Sequence, residues 1–166
     1  MARTASPIAR RWLGILFFLA TCHGAAAPAG DGHRTTQHAQ AQAQYANALR
    51  YEEGIGTAPD PAQAMQWYAR AARAGHAAAQ NNLGALYFVQ GSYKQALYWY
   101  RRAAHHGNAN AQFNLGLVYE LGRVLPPDRA KAQYWYKLAA AQGHWDAQYN
   151  LARLNDDDLP PLPPSP

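Results

Sequence analysis

AQFNLGLVYELGRV (111–124) and QYWYKLAAAQGHWDAQ (133–148) are two halves of one pattern that the chain repeats. The pair Ala-Gln stands at Ala43-Gln44, Ala79-Gln80, Ala111-Gln112 and Ala147-Gln148, at intervals of 36, 32 and 36 residues. Trp-Tyr stands at Trp67-Tyr68, Trp99-Tyr100 and Trp135-Tyr136, each followed by Ala-Ala and then by Gly75, Gly107 or Gly143. The Trp always precedes the next Ala-Gln by 12 residues, whereas the stretch from Tyr51, Tyr87 or Tyr119 to the next Trp is 16, 12 and 16 residues long. The length change therefore falls between the halves of a repeat. An exposed hairpin loop tolerates it and a packed junction does not.

Each half reads as an amphipathic helix. Ala79, Asn82, Leu83, Leu86 and Tyr87 follow the i, i+3, i+4, i+7, i+8 spacing, as do Ala111, Asn114, Leu115, Val118 and Tyr119 in a first helix and Ala64, Trp67, Tyr68, Ala71 and Ala72 in a second. Asp60 before Pro61, Asp128, and Ser92 in the short repeat are N-cap candidates, and Gly75, Gly107 and Gly143 suit a left-handed helix stop. His76 and His144 share a turn position with Asn108, which gives them a polar cap role in preference to metal binding. The expectation is an all-α solenoid of helix-turn-helix repeats over 41–155, three full repeats plus a capping helix, Trp145 to Asn155.

The segments AQNNLGALY (79–87), 111–124 and 133–148 resemble the Sel-one-like repeat family, a branch of the tetratricopeptide superfamily. Repeat one departs from the pattern, with Asn47-Ala48 where the others have Leu-Gly. The resemblance implies an interaction module whose first helices line the concave side of a superhelix. Some exported members carry helix-bridging cysteine pairs, and a β-lactam-binding role is suggested for that subset. Cys22 is the only cysteine here, so that role does not transfer well.

Outside the repeats, Arg3, Arg10 and Arg11 precede an apolar run, Trp12 to Ala20, and then small residues, the layout of a signal peptide over 1–29. Nine residues are too few to cross a bilayer core, which takes about 20. Cleavage follows Ala26 or Ala29, or, in the lipoprotein alternative, precedes Cys22, which would then be lipidated and would anchor the chain to a membrane. The expected location is periplasmic or secreted. Residues 30–40 read as a flexible lead-in and 156–166 as an acidic and Pro-rich tail.

Without residues 1–29, twelve Lys and Arg face ten Asp and Glu, too even a balance for a nucleic-acid partner. Nucleophiles reduce to Ser92 and Ser165, and no catalytic constellation or cofactor motif is present. Glu52 and Glu120 occupy matching places two repeats apart, too far for an acid/base pair. The expectation is therefore a non-enzyme with neither cofactor nor metal, an adaptor or regulator of the bacterial envelope that holds a partner protein or an extended peptide.

The residues left over once the core face is assigned are the groove candidates: Tyr45, Glu52, Asn81, Asn82, Phe88, Phe113, Asn114, Glu120, Tyr149 and Asn150. Apolar side chains of a partner would stack on Tyr45, Phe113 and Tyr149. The row Asn82, Asn114 and Asn150 either bonds a partner's backbone or ties neighbouring helices together. Glu52 and its neighbour Glu53 are expected to be solvated, and Glu52, Glu120 and Asp156 form an exposed edge that would favour basic residues in a partner. The alternatives are a carbohydrate or peptidoglycan binder using the same three aromatics and, more remotely, a hydrolase.

Overall fold

A computed structural model describes residues 30–156, which form seven α-helices and, among the described residues, no strand. In order these are α1 (Gly30–Glu53), α2 (Pro61–Arg73), α3 (Ala77–Val89), α4 (Tyr93–His105), α5 (Ala109–Leu121), α6 (Arg129–Ala141) and α7 (Trp145–Asn155). Backbones approach most closely between consecutive helices, so the chain is an α-solenoid in which each unit packs on the next. The signal-peptide region with Cys22, and the tail beyond Asp156, lie outside the described residues. The described part of α1 begins at Gly30. Residues 32–40 are therefore helical, not a flexible lead-in: they are exposed, and they extend the helix outward from buried Ala41.

Loop length varies where the sequence places it, and the loop ends do not. Backbone N–H groups of Asp60, Ser92 and Asp128 donate to the carbonyls of Tyr51, Tyr87 and Tyr119, each at 2.8 Å. The same bond thus closes a long and a short hairpin. Asp60 and Asp128 accept from Gln63 N–H and Lys131 N–H at 3.0 Å, as caps should. Ser92 sits at the N-cap of α4 but makes no side-chain cap bond. First helices are capped by His76 Nδ1, Asn108 Oδ1 and His144 Nδ1, which accept from the N–H of Ala79, Ala111 and Ala147.

The repeat markers now acquire reasons. Gln80, Gln112 and Gln148 each donate from Nε2 to the carbonyl of the second alanine of the preceding Ala-Ala pair, at 2.9, 3.2 and 3.2 Å. One side chain thus gives a second bond to a helix-end carbonyl that also accepts from the N–H of Gly75, Gly107 or Gly143. Of the Trp-Tyr pair it is the tyrosine that goes deepest: Tyr68 and Tyr136 are fully buried and Tyr100 is 5 % exposed, while Trp67, Trp99 and Trp135 are half-buried at the rim. The Leu-Gly glycine makes room for the ring. A Cβ on Gly84 would lie 2.7 Å from Tyr100 Cδ1, and one on Gly116 would come closer still to the Tyr136 ring.

Candidate functional site

The leftover face of the first helices carries a polar row built around these tyrosines. In repeat one, the Tyr68 hydroxyl donates to Glu52 and accepts from Asn82 Nδ2 at 3.2 Å. In repeat three, the Tyr136 hydroxyl donates to Glu120 Oε2 at 2.7 Å and bonds Asn150. Burial, then the neighbouring carboxylate, pushes both phenols far above their usual range. Glu120 also accepts from Arg153, and its side chain is only 17 % exposed. Glu120 is thus not the solvated edge the sequence suggests, because the α7 cation and the α6 phenol already hold it. Glu52 is exposed but shares its carboxylate with Tyr68.

The expected stacking platforms are engaged as well. Tyr45 stacks on His76 with ring centroids 4.4 Å apart and tilts against Tyr68 at 5.8 Å. Phe113 repeats this with His144 at 4.6 Å and Tyr136 at 5.7 Å. Each ring thus stacks on a histidine of its own chain and braces the hairpin, and both rings are half-buried. Tyr149 is half-buried on α7.

Repeat two differs at both ends of the same face. Asn81 takes the place of Tyr45 and Phe113, and Phe88 takes the place of Glu52 and Glu120. Asn81 is 8 % exposed, donates to Asn82 Oδ1 at 3.2 Å and accepts from Asn114 Nδ2 at 3.0 Å. A hydrogen-bonded row, Glu52, Tyr68, Asn82, Asn81 and Asn114, therefore crosses two repeats. Tyr100 is left with no acid: burial alone pushes it up to about 12, and its hydroxyl has no bond among the described residues. Beside it opens a cavity of about 200 Å³, lined by Phe88, Tyr100, Asn114, Leu117, Val118 and Val124, among others. Sequence reasoning missed this cavity, although the change from Glu to Phe at position 88 marks it.

The only serine among the described residues is Ser92, and no cluster of three or more His, Cys, Asp or Glu able to hold a metal occurs among them. No described helix is long and apolar enough to cross a membrane.

The Sel1 repeat model matches the chain four times, over 39–76, 77–108, 109–144 and 145–165. The chain belongs to the Sel1 repeat family. Its fourth match includes α7 as its one described helix. A Sel1 repeat protein from Oxalobacter formigenes has a crystal structure 32% identical to this chain over 73% of it and 96% of that protein, with a TM-score of 0.62. A second similar structure is c5321, a protective antigen present in uropathogenic Escherichia coli strains and displaying an SLR fold. It is 36% identical, with 70% of this chain and 26% of that one covered and a TM-score of 0.59. This chain thus spans about a quarter of that antigen. No curated protein matches. Sel1 repeat proteins generally mediate protein–protein interaction and are typically non-catalytic scaffolds.

Proposed function

We propose that this Sel1 repeat protein is an exported, non-catalytic adaptor or regulator of the bacterial envelope, which holds an extended segment of a partner protein against the first-helix face. The observation that carries this reading is the polar row from Glu52 to Asn114 running beside the cavity at Phe88 and Tyr100. Each asparagine amide in it spends one N–H internally and keeps a second donor, and Asn114 Oδ1 keeps an acceptor, so an extended backbone can bond the row without a fixed sequence. The leader over 1–29 supports export, and lipidation at Cys22 is the anchored variant of the same reading.

A photo-crosslinking residue tests the face. Placed at Leu117 it should capture a discrete envelope protein, and placed at Tyr134, exposed on α6, it should not. Capture from Tyr134 alone would move the interface to the second helices and overturn the proposal. Intact-mass analysis of the exported protein should show Met1 to Ala20 removed, and a lipid-sized increment on Cys22 would identify the anchored form.

A further inference from the structure

The charge expected of a partner follows from repeat two. No Asp or Glu occurs between Asp60 and Glu120, whereas Arg70, Arg73, Lys94, Arg101 and Arg102 do. The two acids of the face, Glu52 and Glu120, are already bonded internally. A basic partner therefore finds no free carboxylate at the centre of the face.

A second concavity, of about 400 Å³, adjoins the cavity. The two share Arg123 and Val124, and the second is also lined by Ser92, Tyr93, Lys94 and Gln95. Those four residues form the N-terminus of α4, which carries no acid in its first turn and no side-chain cap bond, so its positive end is uncompensated. Arg123 and Lys94 are exposed, and neither has an ion pair among the described residues. On the other side of Arg123 lies the cavity, apolar apart from Asn114 and the unpartnered hydroxyl of Tyr100, a side chain 5 % exposed. The hydroxyl of Tyr100 is not sealed off from solvent and spends its proton on no group among the described residues, so a bound carbonyl could accept from it.

Resting on the proposed function above, we infer that this double concavity is a specificity pocket for an acidic–apolar pair in the partner's extended segment. The apolar side chain enters the cavity between Phe88, Tyr100 and Leu117. A carboxylate two residues away in the same segment meets Arg123, Lys94 and the open N-terminus of α4. The two-residue offset follows because alternate side chains of an extended chain point the same way. The preference is the opposite of the one that Glu52 and Glu120 suggest in the sequence.

The test uses the full chain and three synthetic peptides, acetyl-Gly-Phe-Gly-Glu-Gly-amide and its Gln and Lys analogues, followed by amide and side-chain NMR shifts. The Glu peptide should shift Asn114, Leu117 and Val124 and bind at least fivefold more tightly than the Lys peptide at low salt. The difference should shrink in about 1 M NaCl, where charges are screened within about 3 Å. Phe88→Glu gives Tyr100 the acid its two counterparts have, and should weaken the Glu peptide at least tenfold without lowering the melting temperature. Should that variant unfold, Arg123→Gln, on an exposed side chain, should bring the Glu peptide down to the affinity of the Gln peptide. Equal or tighter binding of the Lys peptide overturns the inference, as does the absence of shifts with any peptide. Shifts at Asn82 and Tyr45 without change at Leu117 and Val124 overturn the pocket and leave the groove standing, whereas loss of crosslinking from Leu117 removes the groove itself.

Discussion

Repeats one and three answer the same structural demand in the same way, and repeat two answers it differently. In the outer pair, an aromatic at one end of the first helix stacks on the next histidine cap, and an acid at the other end accepts a hydrogen bond from the buried tyrosine hydroxyl. Repeat two keeps the tyrosine and gives up both partners, putting Asn81 where the aromatic stands and Phe88 where the acid stands. Two substitutions thus turn a self-satisfied surface into a hollow with an unpartnered phenol. A repeat protein can make a site by omission, since neighbouring units hold the backbone in place while one unit leaves its polar groups unmet.

Packing around the tyrosines gives the largest contrast. Gly116→Ala drives a methyl group into the fully buried Tyr136 ring, which Glu120 holds from its far end, so the ring cannot yield. About 2 to 3 kcal/mol of stability should be lost, at the upper end of overpacking costs. Gly84→Ala meets Tyr100, which borders a cavity and has no bond to break, and should cost about 1 kcal/mol less than Gly116→Ala. Urea unfolding of both variants measures the gap. Equal costs would show that the cavity gives the Tyr100 ring no freedom.

Removing only the hydroxyls gives the next contrast. Tyr136→Phe deprives the part-buried Glu120 of a donor and should cost about 1.5 kcal/mol, in the range for bonds to charged groups. Tyr100→Phe removes a hydroxyl that bonds nothing among the described residues, and should change stability by less than about 0.5 kcal/mol or raise it. A substantial loss in Tyr100→Phe would mean that its hydroxyl has a partner, most simply a bound water.

Much of this architecture was legible in the sequence because solenoid packing is local. The spacing of Ala-Gln, Trp-Tyr and glycine reports helices that touch only their neighbours, and the four-residue change between repeats locates the loop. Three things escaped that reading for physical reasons. The lead-in continues α1 because adding residues to a helix that tertiary contacts have already nucleated costs little, and its exposed polar residues carry no apolar periodicity to betray it. Glu120 looks exposed because its partners Tyr136 and Arg153 stand 16 and 33 residues on, in other helices. Trp and Tyr are adjacent in every second helix, so spacing alone does not say which one goes inside.

Caps extend the contrast to the hairpins. Asp128→Ala removes a side-chain bond to Lys131 N–H and should cost about 1 kcal/mol, the usual value for a lost N-cap. Ser92→Ala removes no such bond, and the cost expected from the sequence, about 1 kcal/mol, should fall to a few tenths. Thermal unfolding of the two variants side by side checks this. A full cap cost at Ser92 would indicate that its hydroxyl reaches the α4 N–H groups in solution.

The smallest effect separates two caps of identical geometry. His76 at the junction of α2 and α3, and Asn108 at that of α4 and α5, accept the same backbone bond, at 3.2 and 2.9 Å, but only the histidine titrates. With Nδ1 accepting from Ala79 N–H, the ring proton sits on Nε2 and donates to Gln42 Oε1 at 2.7 Å, while the ring face rests on Tyr45. Burial first, and the charge of His38 second, hold the His76 pKa below its usual 6.5. A proton on Nδ1 would also remove the acceptor. Between the folded pKa and about 6.5 the unfolded chain therefore binds more protons than the folded one, so this contribution is fully present above about 6.5 and is lost as pH falls through the folded value. His76→Asn copies the cap that Asn108 already provides and should match the wild type to within about 1 kcal/mol near neutral pH. On acidification the wild type should then lose more stability than the variant, by the part that belongs to His76. Parallel stability curves for the two proteins from neutral to acidic pH would show that the cap tolerates the imidazolium, and that the two junctions differ in residue but not in behaviour.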